Sequence, residues 1–103
     1  MAVPALDVRR RRAFARTIRR TAVLMTAKGK AAHVGTSLSM ADLLAVLYGG
    51  GMRVDPANPS WPDRDRFVLS KGHGCAGVYA ALAETGFFPK AWLDEFYADG
   101  GKL

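Results

Sequence analysis

Cysteine is almost absent from these 103 residues. The single Cys75 allows no internal disulfide, so a reducing, cytoplasmic setting is expected. Long apolar runs are missing too, and nothing approaches the about 18 consecutive residues that a bilayer-spanning helix needs. The arginine-rich start lacks the apolar core and cleavage site of a secretory signal, although its poverty in acids is compatible with a transit peptide. The two histidines come with no cysteine pair, no H-x-x-x-H and no neighbouring carboxylate, which leaves no zinc-type ligand set and no metal ligand to assign. Neither G-x-x-x-x-G-K-[ST] nor G-x-G-x-x-G occurs, so the P-loop and dinucleotide-binding classes drop out. Acids are scarce at one end: Asp7 is the sole acid in residues 1–30 against nine Lys/Arg, whereas residues 31–103 hold six Lys/Arg and eight acids. The net charge of +6 therefore belongs to one segment. A nucleic-acid surface would spread basic residues over several elements and interleave aromatics, and that pattern is lacking. A solvated face, or acids from a neighbouring chain, is the simpler account of the run Arg9 to Arg12.

What is present suits one small domain, residues 1–103, with half of its residues apolar. Phe14, Ile18, Ala22 and Met25 recur at helical spacing and predict an amphipathic helix from Asp7 to about Gly29. Ser39 and Asp42 fit a capping box, which predicts a helix beginning there with Met40, Leu43, Leu44, Leu47 and Tyr48 along its apolar stripe, buried on most sides and ended by Gly49 to Gly51. Three prolines and several Asp, Asn and Ser residues make 52–65 a surface loop, with alternating charges at Asp63 to Arg66 forming local ion pairs. Phe67 to Ser70, "FVLS", reads as a buried parallel strand. Cys75, Val78, Tyr79, Leu82 and Ala83 predict a helix closed at Thr85 and Gly86, and Pro89 opens a short last helix. One strand among several helices leaves its backbone unpaired on both edges, so it needs strands that this chain does not contain. The expected class is α/β: the helix-rich N-terminal portion of a parallel-sheet domain, incomplete by itself.

A strand, a glycine-rich turn and a helix start form a natural anion site, because free N–H groups and the positive end of the helix dipole converge. "SKGHG", Ser70 to Gly74, has that form. Gly72 and Gly74 would allow close backbone approach, and the His73 imidazole can donate to a phosphate oxygen. A tight turn with a structural histidine explains the same residues. His33, in "AAHVGTSLS", lies among small residues that leave room for a ligand, and an imidazole titrates near neutral pH, which suits proton transfer. Padding a loop is its plainer role. Cys75 at a helix start favours a thiolate, yet no base is placed for it.

Three stretches, "HVGTSLSMADLLAVLY", "NPSWPDRDRFVLSKGHGCAGVYAALAETGFF" and "LDEFYADGGKL", resemble the opening third of the thiamine-diphosphate-binding domain of transketolase, from about Thr21 to Leu103. The D-R-D-R-F-(apolar)-L-S-x-G-H block is the specific part. It makes this chain look more like transketolase than like 1-deoxyxylulose-phosphate synthase, a related enzyme that shares the His-x-Gly-x-Ser opening. The likeness is strongest to the N-terminal subunits of split transketolases.

The resemblance implies that His73, with Ser70 and Gly72 in S-x-G-H, contacts the cofactor diphosphate, and that His33 faces the thiazolium and the substrate hydroxyls. Ala32 stands where the family usually has glycine. The resemblance also implies that a third histidine, the Gly-Asp-Gly and Asn ligands of the bridging Mg2+, and the glutamate that activates the aminopyrimidine lie outside this chain. Expected partners are complementing transketolase segments or a second subunit in an oligomer, and sugar phosphates as substrates, with catalysis only in the assembled enzyme. The other readings are a non-catalytic remnant that docks on an intact transketolase and, last, a basic helical nucleic-acid binder with steeply salt-dependent affinity.

Overall fold

Asp7 starts the first helix: its Oδ1 accepts the Arg10 N–H at 2.8 Å, and α1 runs over Val8–Lys28. In this computed structural model, which describes residues 4–30 and 33–103, α1 buries Phe14, Ile18, Ala22 and Met25, the four positions that the periodicity singles out. The helix stops at Gly29, where a side chain would bring its Cβ within 2.8 Å of the Phe96 carbonyl oxygen. Glycine there lets the C-terminal segment cross the end of α1.

The second helix, α2, covers Val34–Val46, so it begins five residues before the expected cap at Ser39. Ser39 Oγ instead donates to the Thr36 carbonyl inside the helix at 2.9 Å, and Asp42 pairs with Arg19 of α1. The capping-box pattern is satisfied by residues doing other work. The buried face differs as well: Ser37, Ala41, Leu44, Ala45 and Tyr48 are covered, while Leu43 is 56% exposed and Val46 45% exposed. Alanines on the inner face allow α1 and α3 to approach closely, and the larger side chains are left outside. The helix then widens into a π-type turn, Leu47–Gly51, in which the Met52 N–H donates to the Leu47 carbonyl at 2.9 Å. Gly50, at φ +110°, lies against Ala5, whose Cα would sit 2.3 Å from any added Cβ.

Helix α3, Cys75–Thr85, follows a short 3-10 turn at Gly72–Gly74 and ends at Gly86 in the left-handed region, as "TG" predicts. It packs on α1 and α2 through Ala76, Gly77, Ala80 and Ala81. Ser37 of α2 is fully buried in that contact, accepting the Gly77 N–H at 3.0 Å and donating to the Gly74 carbonyl at 3.5 Å. Lys90–Glu95 forms a 3-10 segment rather than a full α-helix, tied to α1 by Lys28 and Asp94 at 3.2 Å.

Between the helices, residues 52–65 form the expected loop. Its charges do not pair locally: Asp65 reaches across to Arg53, accepting the backbone N–H at 2.7 Å and the guanidinium at 3.3 Å. These bonds to the Arg53 N–H, then to its side chain, hold the Asp65 carboxyl below its ordinary pKa.

The strand expected at Phe67–Ser70 does not form. Among the described residues there is no strand, and no backbone hydrogen bond joins Phe67, Val68 or Leu69. The stretch is irregular, with Val68 83% exposed. An isolated strand has nowhere to direct its N–H and C=O groups, so a β-rich sequence without a neighbour stays solvated. The observed layer is helical, and the sheet of an α/β domain is not present in it. No helix among the described residues is long and apolar enough to cross a membrane.

Candidate functional site

Forty residues apart in sequence, His33 and His73 meet in space. Their ring centroids are 4.2 Å apart, with the planes tilted by 35°. His33 occupies the N-cap position of α2 in the left-handed conformation, φ 68° and ψ 30°, and makes no side-chain cap. His73 sits in the middle of the Gly72–Gly74 turn that opens α3. The Ser37 bridge to Gly74 and Gly77 locks those two helix starts together, which fixes the imidazoles as neighbours.

Both rings line a cleft of about 540 Å³, together with Gly72, Cys75, Tyr79 and Lys30 among others. That volume is typical of a site for a cofactor or metabolite. Gly72 lies open to the cleft: beyond its chain neighbours, no heavy atom comes within 4 Å of where a Cβ would stand, so the turn leaves free space for a ligand. Gly74 has a different part from the one its sequence position suggests: a Cβ there would come 2.8 Å from Met40 Cε and 3.1 Å from Thr36 Cγ2, so its bareness serves helix packing. Ser70 is exposed and stands outside the cleft lining. Ala32 lies outside the described residues.

The expected donor set at the start of α3 is also narrower than the pattern suggests. The Gly74, Cys75 and Gly77 N–H groups already donate, to the Lys71 carbonyl, the Gly72 carbonyl and Ser37 Oγ respectively. The positive end of the helix dipole remains, and the imidazoles supply side-chain donors beside it. This combination suits an anionic group.

One signal was invisible to spacing. Lys30, His33 and Tyr97, all the described non-glycine residues with positive φ, line this one cleft. Such conformations cost on the order of 1–3 kcal/mol each and gather where the surroundings hold side chains in place for a ligand. Lys30 and Tyr97 escape sequence reasoning, because neither belongs to a motif and backbone strain leaves no composition signature. Lys30 adds a cationic group to the lining. Among the described residues no cluster of three His, Cys, Asp or Glu side chains is placed to hold a metal ion.

Paired imidazoles at abutting helix starts thus form one wall of a cleft of about 540 Å³. The chain belongs to the transketolase family: the family model for "Transketolase, thiamine diphosphate binding domain" matches residues 10–96. The chain is 55% identical over 71 residues to the 6-deoxy-6-sulfo-D-fructose transketolase subunit SqwG of Clostridium sp. (strain MSTE9), an alignment covering 69% of this chain and 26% of that protein. It is 39% identical over 90 residues to one of the subunits of the apulose-4-phosphate transketolase of Actinobacillus succinogenes, covering 86% and 33% respectively. Against transketolase 1 of Escherichia coli (strain K12) the identity is 43% over 77 residues, covering 75% of this chain and 12% of that enzyme. The chain thus spans a third or less of the length of these relatives.

Proposed function

We propose that residues 1–103 form part of the cofactor-binding domain of a thiamine-diphosphate-dependent transketolase-like enzyme, which transfers a two-carbon ketol unit between sugar phosphates and is active only with complementing segments or a partner subunit. The observation that carries this reading is the meeting of His33 and His73 at 4.2 Å over a single open cleft. His73, beside the open Gly72, holds the diphosphate, with Ser70 joining it when the rest of the domain is present. His33 faces the reacting end, where its imidazole binds hydroxyls and moves a proton. The cofactor, when bound, supplies the carbanion chemistry; these residues supply orientation and proton transfer. The cleft and its donors fit a diphosphate, whereas the ligands of Mg2+ belong to segments outside this chain. The setting is cytoplasmic.

The test is calorimetric titration of thiamine diphosphate with Mg2+ into the chain alone and into its complex with the complementing segments. Binding and ketol transfer by the complex, both lost in His73→Ala, are expected. A complete complex that binds no cofactor would overturn the reading. Native mass spectrometry separates the alternative: a chain found only on an already complete transketolase is a docking remnant.

A further inference from the structure

Charge on α1 runs against the helix that carries it. Arg9, Arg12, Arg16 and Arg20 follow i, i+3, i+7 and i+11, so they fall within about 80° of one face. All four are exposed, and no ion pair among the described residues joins any of them, whereas Arg19 and Lys28 of the same helix pair with Asp42 and Asp94. Like charges three and four residues apart repel, and arginines in the first turn oppose the positive end of the helix dipole. The Asp7 N-cap is the one carboxylate at that end, and no acidic residue lies within the first turn itself. The arrangement becomes favourable once an anionic surface covers it.

An apolar receptacle adjoins the stripe. Leu6, Ala13, Phe14 and Tyr48 give a cleft of about 450 Å³ its apolar lining, which Arg10 and Glu84 share, and the Glu84 carboxylate is paired with Lys90 at 3.1 Å. We infer that this face docks an acidic helical segment of a protein, with its carboxylates along the four arginines and one apolar side chain seated in the cleft. An acidic helix repeats its carboxylates at the same three- and four-residue intervals, and guanidinium groups bind carboxylates in a two-pronged geometry. The apolar cleft distinguishes this partner from a nucleic acid, and the stripe has no interleaved aromatics on which bases would stack. Docking here stands apart from the histidine cleft and does not depend on its cofactor.

Fluorescence anisotropy of the full chain tests it against four probes: a helical peptide with glutamates at i, i+3, i+7 and i+11 and one phenylalanine on the same side, the same peptide with alanine for phenylalanine, the same with glutamines for glutamates, and a DNA duplex. The glutamate-phenylalanine peptide should bind at least about tenfold more tightly than the other three, more weakly as salt rises. Arg12→Glu combined with Arg16→Glu should cost about tenfold or more. Those substitutions place opposite charges beside Arg9 and Arg20, so helicity by circular dichroism should be kept. Ala13→Trp, at the exposed lip, should reduce the phenylalanine peptide to the level of the alanine one. The inference fails if the duplex binds as tightly, if loss of the phenylalanine changes nothing, or if the charge reversal leaves affinity unchanged in a folded chain.

Discussion

The contact between α2 and α3, whose α3 side begins a few residues after Ser70, and the irregular stretch from Phe67 to Ser70 solve opposite problems. At the contact, each helix satisfies its own backbone, and small residues let the two approach until Ser37 bridges Gly74 and Gly77. In the stretch, Val68 stands 83% exposed on backbone that pairs with none of the described residues. Helices can be complete within a piece of a domain, whereas a strand is complete only beside another strand. The difference explains how the chain brings two histidines together while lacking the sheet its sequence anticipates.

Wedging the contact apart is the most disruptive change. In Gly77→Val the new Cβ would lie 3.2 Å from Ser37 Cβ and 3.4 Å from Leu44 Cδ1, so the contact must already give way before the two methyls are added. A loss of roughly 1–3 kcal/mol is expected, read from urea denaturation. Because the same contact positions both imidazoles, cofactor affinity of the assembled enzyme should fall too. A variant of unchanged stability would show that the small-residue contact is not what joins the helices.

Relieving strain at the site should have the opposite sign. His33 holds a left-handed conformation, which for a side-chain-bearing residue costs roughly 1–2 kcal/mol, partly offset in His33→Gly by the greater freedom of glycine in the unfolded chain. A stability gain of about 0.5–1 kcal/mol is expected by thermal melting. Ketol transfer by the assembled enzyme should fall at the same time. A drop in stability would mean that the ring contact with His73 outweighs the backbone cost.

The helices were legible because their signals are local. Phe14, Ile18, Ala22 and Met25 lie on one face whatever packs there, and Gly86 stops its helix in the left-handed backbone conformation that glycine adopts freely. The faces of α2 and α3 were less legible, since large apolar residues draw the eye while Ala41, Ala45, Ala76 and Ala80 make the close contacts. Ser39 and Asp42 carried a capping pattern whose competing partners, Thr36 and Arg19, no local rule reveals. The histidines were legible as candidates through their glycine-rich and small-residue settings. Their 4.2 Å meeting was not, because it depends on Ser37, a buried hydroxyl that nothing in the sequence distinguishes from an exposed one.

Val68→Lys sharpens the comparison from the other side. Its effect on the isolated chain should stay within about 0.5 kcal/mol, because the side chain is already solvated. Added complementing segments should no longer assemble with it if they pair with this stretch, since the lysine would be carried into a covered sheet. Size-exclusion chromatography of the mixed chains reads the outcome. Normal assembly would place the missing strands elsewhere.

The smallest effect lies where the loop meets the start of the stretch. The Asp65 N–H donates to the Arg53 carbonyl at 2.8 Å, and the Asp65 carboxylate accepts from Arg53 in return, so this pair is the nearest the chain comes to a strand-like closure. The Asp65 pKa is lowered in the folded chain by those bonds. Its contribution is therefore present above the unfolded value of about 3.9 and is lost as pH falls through the lower folded value. Amide exchange at Arg53 should accelerate below that range while the α2–α3 amides stay protected, and Asp65→Asn should remove the pH dependence. Equal acceleration at Gly77 would mean that the loop and the helical contact open as one unit, and the division between self-sufficient helices and an unsupported strand would not hold.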